Sequence, residues 1–450
     1  MIREVPIQNW KDVQEEAISH LKALIKIDTT NPPGNEMEAV NYIRSVLDLE
    51  GIEYQVVEPE KGRGNIIARL KGNGSARPIC LNGHLDVVSA DAKHWKYPPF
   101  SATEAEGYIW GRGALDMKNM VAMELAILLE AKRRGWRLKR DLICAWVADE
   151  EAGCNLGSRY LVENHPNLIE AEYAVGEIGG FSLTVRNMRF WPIGMAEKGV
   201  AWLTISAEGA PGHGSIPNPD SAVIKIAKAA HAIGKATLPM HLTDVVKTFV
   251  SSLAQAQPKP VDKILKQVTN PVMSNFILNV LFPDKTLAKS FYASLHNTAN
   301  VTMLQAGEKI NVVPATALMK VDGRLIPGQR AEDLVKEIGK VIGKGYKIVI
   351  DQTMPGLITD LNDPVYVMIT DIVKRNDPDG LPIPYLFPGF TDAKYFSKVG
   401  AKCFGFSPVK LTPKDAFAQV IHGHDERIPV EGFKDGLKML AELVYNLAVG

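Results

Sequence analysis

The sequence predicts an α/β protein into which a second, smaller α+β domain is inserted. Three observations carry this. Helical and strand periodicities alternate through the first part of the chain, the pattern changes near Lys198, and the first pattern returns from about Met354 to Gly450.

In the first part, Trp10, Val13, Ala17, Leu21, Leu24 and Ile25 recur at helical spacing, as do Val40, Ile43, Val46 and Leu47. Short β-rich runs follow at residues 54–57, 65–70 and 78–81. A long helix is expected over 118–134 and a buried strand over 141–148. After Lys198, strands are expected at 200–207, 317–325 and 346–350, and helices at 222–233 and 331–342. Residues 238–294, rich in proline and polar side chains, read as a long irregular excursion without an assigned role. The boundaries drawn are 1–196 and 355–450 for the main domain and 197–354 for the insertion.

The composition, 46% hydrophobic and 23% charged, is that of a folded domain rather than a disordered segment. Fifty-one basic residues balance fifty-one acidic ones, so net charge offers no attraction to nucleic acid or an anionic membrane. The first residues, MIREVPIQNWKDVQEE, are too polar for a secretory signal. The apolar stretch from Met120 to Leu129 is broken by Glu124 and too short to span a bilayer. Cys80, Cys144, Cys154 and Cys403 are widely spaced, which argues against a disulfide framework and for a cytoplasmic location.

Five polar segments stand where a strand has just ended, the place where open α/β sheets bind ligands. His84 and Asp86 lie two apart in HLDVV, and a carboxylate beside an imidazole can fix its tautomer. Asp116 in GRGALDMK precedes a helix; it reads as an N-cap or as a carboxylate able to bridge two metal ions. Gly111 and Gly113 suggest a dinucleotide loop, and with it an oxidoreductase, but a third glycine is missing. Asp149, Glu150 and Glu151 follow an apolar run; such acids cap a helix, or divide into a metal ligand and a free general base. Glu177 ends another strand among glycines, and His422 or His424 near the C-terminus offers a second imidazole. Together His84, Asp116, Glu151, Glu177 and His422 supply two histidines and three carboxylates, enough for two metal ions sharing one carboxylate. Nitrogen and oxygen donors without thiolate suit catalytic Zn²⁺, with Co²⁺ or Mn²⁺ as alternatives.

The ordered motifs HLDVV, WKYPPF, GRGALDMK, ADEEAG, GEIGG, GAPGHGS, NVVPA, DGRLIPG, FTDAKYF and HGHDERI resemble the M20 family of metallopeptidases across nearly the whole chain. That family includes aminoacylases, carboxypeptidases and desuccinylases, and His94–Phe100 resembles its aminoacylase and carboxypeptidase S side. The resemblance implies a two-domain, mixed-sheet zinc-peptidase fold whose inserted α+β domain serves as lid and dimerisation surface. It implies that His84, Asp116 and Glu177 hold one zinc and that Asp116, Glu151 and His422 hold the other. Glu150 becomes the general base, Asp86 the acid that orients His84, and His213 the group that stabilises the oxyanion. Asn311 and Arg324 become the residues that hold a substrate carboxylate. The implied substrate is an N-acyl amino acid or short peptide, cleaved at an amide next to a free carboxylate, and the implied assembly is a homodimer. The competing reading is a non-catalytic metal- or peptide-binding protein with the same fold, which would need neither Glu150 nor His213. Two positions depart from the family pattern: Cys154 stands where relatives often have a second glycine, and Asp425 where many have asparagine.

Overall fold

The computed structural model describes residues 2–185, 187–282, 285–415 and 417–450. The chain forms two compact units. One comprises residues 1–195, 359–385 and 391–450, the other 196–358 and 386–390.

The larger unit is built on a mixed sheet. Six of its ten strands lie side by side in the order Tyr54–Glu60, Arg63–Leu70, Leu142–Val147, Ile79–His84, Tyr173–Gly176 and Lys402–Gly405. The last four are mutually parallel, while Tyr54–Glu60 and Arg63–Leu70 form an antiparallel hairpin on one side. Ile79–His84, Leu142–Val147 and Tyr173–Gly176 are buried at every position, as strands covered on both faces must be. Their parallel register places the carboxyl ends of all three at one edge of the sheet. His84, Asp149–Glu151 and Glu177 stand at that edge.

The helix Lys118–Arg133 is buried almost all round, which its sequence of Met, Val, Ala, Leu and Ile permits. Its one mid-helix acid, Glu124, accepts a hydrogen bond from Trp146 Nε1 at 2.7 Å, and burial pushes its carboxyl well above the usual range. At its start, the buried Lys118 Nζ donates to the carbonyls of Leu24 (3.0 Å) and Ile27 (2.8 Å). Those carbonyls lie at and just beyond the end of the helix Trp10–Ile25, so the amine ties that helix end to the start of the helix Lys118–Arg133. Burial lowers the Lys118 pKa to about 7.

The smaller unit is an antiparallel sheet in the order Thr298–Ala306, Thr316–Leu325, Gly199–Glu208, Tyr346–Met354. Alternate residues Ala317, Met319, Val321 and Leu325 pack against the helices Ala222–Lys235 and Ala331–Ile342. The expected irregular excursion is largely helical. It contains Asp244–Gln255, Val261–Lys266 and Lys285–Leu295. Pro258 and Pro260 cut the apolar periodicity into short pieces, which hides it. Thr243, whose hydroxyl accepts from Val246 N at 3.3 Å, is a legible start signal.

A buried ionic cluster fixes the acid-rich loop to the outer hairpin. Arg63 grips Glu36 with both Nε (2.7 Å) and Nη2 (2.8 Å), and Nη2 also donates to Asp149 Oδ1 at 3.0 Å. Glu36 is wholly buried and Asp149 nearly so. Removing the cation leaves two carboxylates buried without it, a change that costs about 3–5 kcal/mol. Arg63→Met is therefore expected to lose that much stability in urea titration. A loss below about 1 kcal/mol would mean that the cluster is effectively solvent-screened.

Candidate metal centre

The loop ends at the sheet edge converge on one point. Asp116 lies at the middle of it and gives one oxygen to each side: Oδ1 is 3.2 Å from His84 Nε2, and Oδ2 is 3.1 Å from His422 Nε2. Glu177 Oε2 lies 3.9 Å from His84 Nε2, and Glu151 Oε1 lies 3.2 Å from His422 Nε2. Two clusters of possible ligand atoms result, each within 4.8 Å: His84, Asp116 and Glu177, and Asp116, Glu151 and His422. Asp116 is not a helix cap; the residue before the helix is Met117, and no side chain caps it. His424 stays outside, its ring 5.0 Å from that of His94.

The histidines are oriented from behind. His84 Nδ1 donates to the main-chain carbonyl of Asp86 at 2.9 Å, with a carboxylate oxygen of the same residue at 3.5 Å. A carbonyl only accepts, so Nδ1 carries a proton and the Nε2 lone pair is the one available to a metal. The Asp86 carboxylate also accepts from the peptide N–H groups of Glu150 and Glu151, both at 3.1 Å, and from Asn31 at 2.8 Å. Burial alone would raise its pKa, but the hydrogen bonds and the His84 charge hold it below the ordinary value. Asp86 thus ties the first histidine to the acid-rich loop.

Glu426, which lies within HGHDERI but has no role assigned from the sequence, ties the remaining two loops together. Its buried carboxylate accepts from the peptide N–H groups of Gly113 (3.1 Å), Leu115 (2.8 Å) and Asp116 (3.1 Å), and from Arg112 Nη1 at 2.6 Å. The turn at Gly111–Gly113, which could cradle a phosphate, is therefore filled by a carboxylate of the chain itself. This removes the dinucleotide-loop expectation. The only hint in the sequence is an acid four residues beyond His422.

Several residues here have backbones that L side chains rarely adopt. Asp149, Ile178 and His422 have φ of 66°, 58° and 56°; His422 is a candidate ligand, Ile178 adjoins one, and Asp149 precedes the candidate base Glu150. For the β-branched Ile178 this is a genuine outlier, and such positions cost of order 1–3 kcal/mol each. The two departures from the family pattern also fall at left-handed positions. Cys154 (φ 66°) keeps the conformation a glycine would favour, and Asp425 (φ 59°) is a residue type that tolerates it as asparagine does.

The charge balance fits a metal. Among the described residues, the only ion-pair partners of Asp116, Glu151 and Glu177 are the two histidines, and no lysine or arginine lies within 4 Å. Burial, then neighbouring carboxylates, push Glu177 well above the usual carboxylate range. Glu150 is likewise raised, by burial and by Asp392, Glu151 and Asp86, against the lowering effect of His84. So many converging acids without a fixed cation are costly unless divalent ions compensate them. The nitrogen and oxygen donors present are of the kind that holds catalytic zinc.

Residues 80–446 match the model of peptidase family M20/M25/M40. The chain belongs to this family. It is thereby a metal-dependent hydrolase, and the non-catalytic alternative falls away. Among its relatives is the N-fatty-acyl-amino acid synthase/hydrolase PM20D1 of Bos taurus, 27% identical over 95% of this chain and 86% of that one. Aminoacylase-1B of Rattus norvegicus is 27% identical over 97% of both chains. The M20 family metallo-carboxypeptidase Sso-CP2 from Sulfolobus solfataricus shares the fold, with a TM-score of 0.69 and 19% identity over 96% of this chain and 98% of that one. The expected two-domain, mixed-sheet α/β fold is thus found. Among the described residues, no helix is long and apolar enough to cross a membrane.

His213, Asn311 and Arg324 all belong to the smaller unit. His213 pairs with Val312 in a short ladder, and Gly214 N donates to the Asn311 carbonyl at 2.9 Å, so His213 and Asn311 are neighbours. His213 is exposed, and its Nδ1 lies 2.7 Å from Ser215 Oγ and 3.2 Å from Ser215 N, so the ring is held by that turn through Nδ1. Arg324 lies on the strand Thr316–Leu325 beside Asp322, at 2.8 and 3.1 Å.

Two outcomes are expected. Glu426→Gln should weaken metal binding by roughly 10- to 100-fold, measured by chelator competition; unchanged affinity would mean that its hold on the Asp116 peptide is not felt at the ligand. In the metal-free chain, hydrogen bonds to Asp116 and Glu151 raise His422 to about 10, with burial opposing. The imidazole is then protonated at neutral pH, whereas a metal needs its lone pair. Metal uptake should therefore release protons and tighten as pH rises, read as a buffer-dependent binding enthalpy.

Proposed function

We propose that the chain hydrolyses an amide bond next to a free carboxylate, in N-acyl amino acids or short peptides, with two Zn²⁺ ions bound per subunit. Co²⁺ or Mn²⁺ would satisfy the same donors. The observation that carries this reading is Asp116, whose two oxygens face two separate histidine–carboxylate clusters. His84, Asp116 and Glu177 would hold one ion, and Asp116, Glu151 and His422 the other. When bound, such ions lower the pKa of water and polarise the amide carbonyl.

Glu150 fits the general base. It adjoins the ligand Glu151, makes no ion pair among the described residues, and its pKa is raised by burial and by neighbouring acids. It would take a proton from the attacking water and deliver it to the leaving nitrogen. With a proton on Nε2, His213 would donate to the developing oxyanion, a contribution of about 2.7–4 kcal/mol for one such donor. Arg324 and Asn311 would hold the substrate carboxylate, the planar guanidinium matching its two oxygens. The names of the two curated relatives, a fatty-acyl-amino acid hydrolase and an aminoacylase, favour the N-acyl amino acid side of this class.

The four cysteines are buried and widely spaced in the sequence, which argues against a disulfide framework and for a reducing compartment, and we place the protein in the cytoplasm. A homodimer through the smaller unit fits its edge strand Thr298–Ala306, where Met303 is 51% and Leu304 58% exposed.

Glu150→Gln is expected to keep full metal content while kcat on an N-acetyl amino acid falls by about 10²–10⁴-fold. Near-normal turnover in that variant would remove Glu150 from the base role.

A further inference from the structure

The smaller unit contains a cavity of about 670 Å³ that the chemistry so far leaves unused. That volume is in the range of sites for small organic ligands, roughly 300–1,000 Å³. Ile233, Leu238, Tyr292, Ala299, Ile338 and Val341 give it apolar walls. Arg324, Asp322 and Lys289 form its charged part.

The walls are fixed by internal bonds. Buried Lys198 directs Nζ to the carbonyls of Ala293 (2.9 Å) and His296 (2.8 Å) and to Thr298 Oγ1 (3.1 Å), pinning the segment that forms one side. The Tyr292 hydroxyl accepts from Leu238 N at 3.0 Å, and its ring stacks on His296 at 4.2 Å. The Tyr292 ring is thereby held in place as a wall.

Arg324 supplies the anchor. Its Nε and Nη2 are engaged side-on by Asp322, and its guanidinium lies 5.1 Å from the Phe390 ring. Among the described residues, Nη1 donates to no acceptor, so the end-on edge of the fork remains open to a carboxylate. Lys289 adds a second cation, and with Asp322 neutralising one of the two the charged part favours an anion. The fit is to a carboxylate attached to a large apolar body.

We propose that this cavity receives the side chain of the substrate residue bearing the free carboxylate, and so selects large apolar residues, aromatic or branched aliphatic, over small or acidic ones. The inference rests on the amide-hydrolase reading in which Arg324 holds that carboxylate. Connectivity decides which part of the substrate enters. In an amino acid the side chain and the carboxylate leave the same carbon, whereas the acyl group lies beyond the scissile nitrogen. An apolar wall continuous with the carboxylate anchor is therefore reached by the side chain.

The test uses the full-length, zinc-loaded enzyme with N-acetyl-glycine, -aspartate, -leucine and -phenylalanine, and separately with acetyl and octanoyl groups on glycine. The expected result is a kcat/KM for phenylalanine roughly 10- to 100-fold above glycine. Filling the cavity by Ala299→Trp, or by Val341→Trp should the first variant fail to fold, should bring that ratio close to one. In parallel, calorimetry on the metal-free enzyme should show N-acetyl-phenylalanine binding more tightly than N-acetyl-glycine, with the preference lost in Arg324→Met. A flat response to the side chain, dependence on acyl length alone, or an unchanged ratio in a folded cavity-filled variant would overturn the proposal. If no substrate is turned over but the calorimetric preference and its loss are seen, the hydrolase reading fails while the cavity assignment stands. If turnover is seen without the preference, the reverse holds.

Discussion

Everything in the candidate metal centre depends on Asp116 standing between two histidines with one carboxylate oxygen directed at each. A buried carboxylate in that position is unfavourable unless both oxygens are compensated. In the metal-free chain the compensation comes from the two imidazoles. Hydrogen bonds from His422 and His84 outweigh the effect of burial and hold the Asp116 pKa below its ordinary value. Burial, and then neighbouring carboxylates, leave Glu151 and Glu177 with raised pKa values, and among the described residues no lysine or arginine pairs with them. The site is thus assembled for positive charge that the polypeptide does not itself provide.

Holding such a cluster together requires rigid loops, and three buried anions supply the rigidity. Asp86 joins the His84 strand end to the loop of Glu150 and Glu151. Glu426 joins the His422 loop to the peptide of Asp116. Glu36, through Arg63, fixes Asp149 to the outer hairpin. In each case a carboxylate accepts from several backbone or guanidinium donors, the arrangement that makes a buried charge tolerable. Of the left-handed backbones at Asp149, Ile178 and His422, those of the aspartate and the histidine fall in residue types that enter this region more readily than most, whereas that of β-branched Ile178 does not.

Much of this architecture is legible in the amino-acid sequence. The alternation of periodicities predicts the mixed α/β unit, because buried strands such as Leu142–Val147 and the helix Lys118–Arg133 are long and apolar enough to stand out. The candidate ligands are legible because acids and histidines directly after apolar strands are unusual. Other features are hidden for physical reasons. Glu426 and Arg112 lie far apart in sequence, and their pairing exists only once the chain has folded. Arg63 and Glu36 look like ordinary surface charges. The helices of the 238–294 segment are masked by prolines that divide them. The cavity beside Arg324 has no sequence signature, since its walls come from separated helices and strands.

The most direct measurement is anomalous diffraction at the zinc edge from crystals of the zinc-loaded protein. The account predicts two peaks about 3.5–4 Å apart, flanking Asp116, with His84 and Glu177 on one and Glu151 and His422 on the other. A single peak, or two peaks that do not share Asp116, would contradict it.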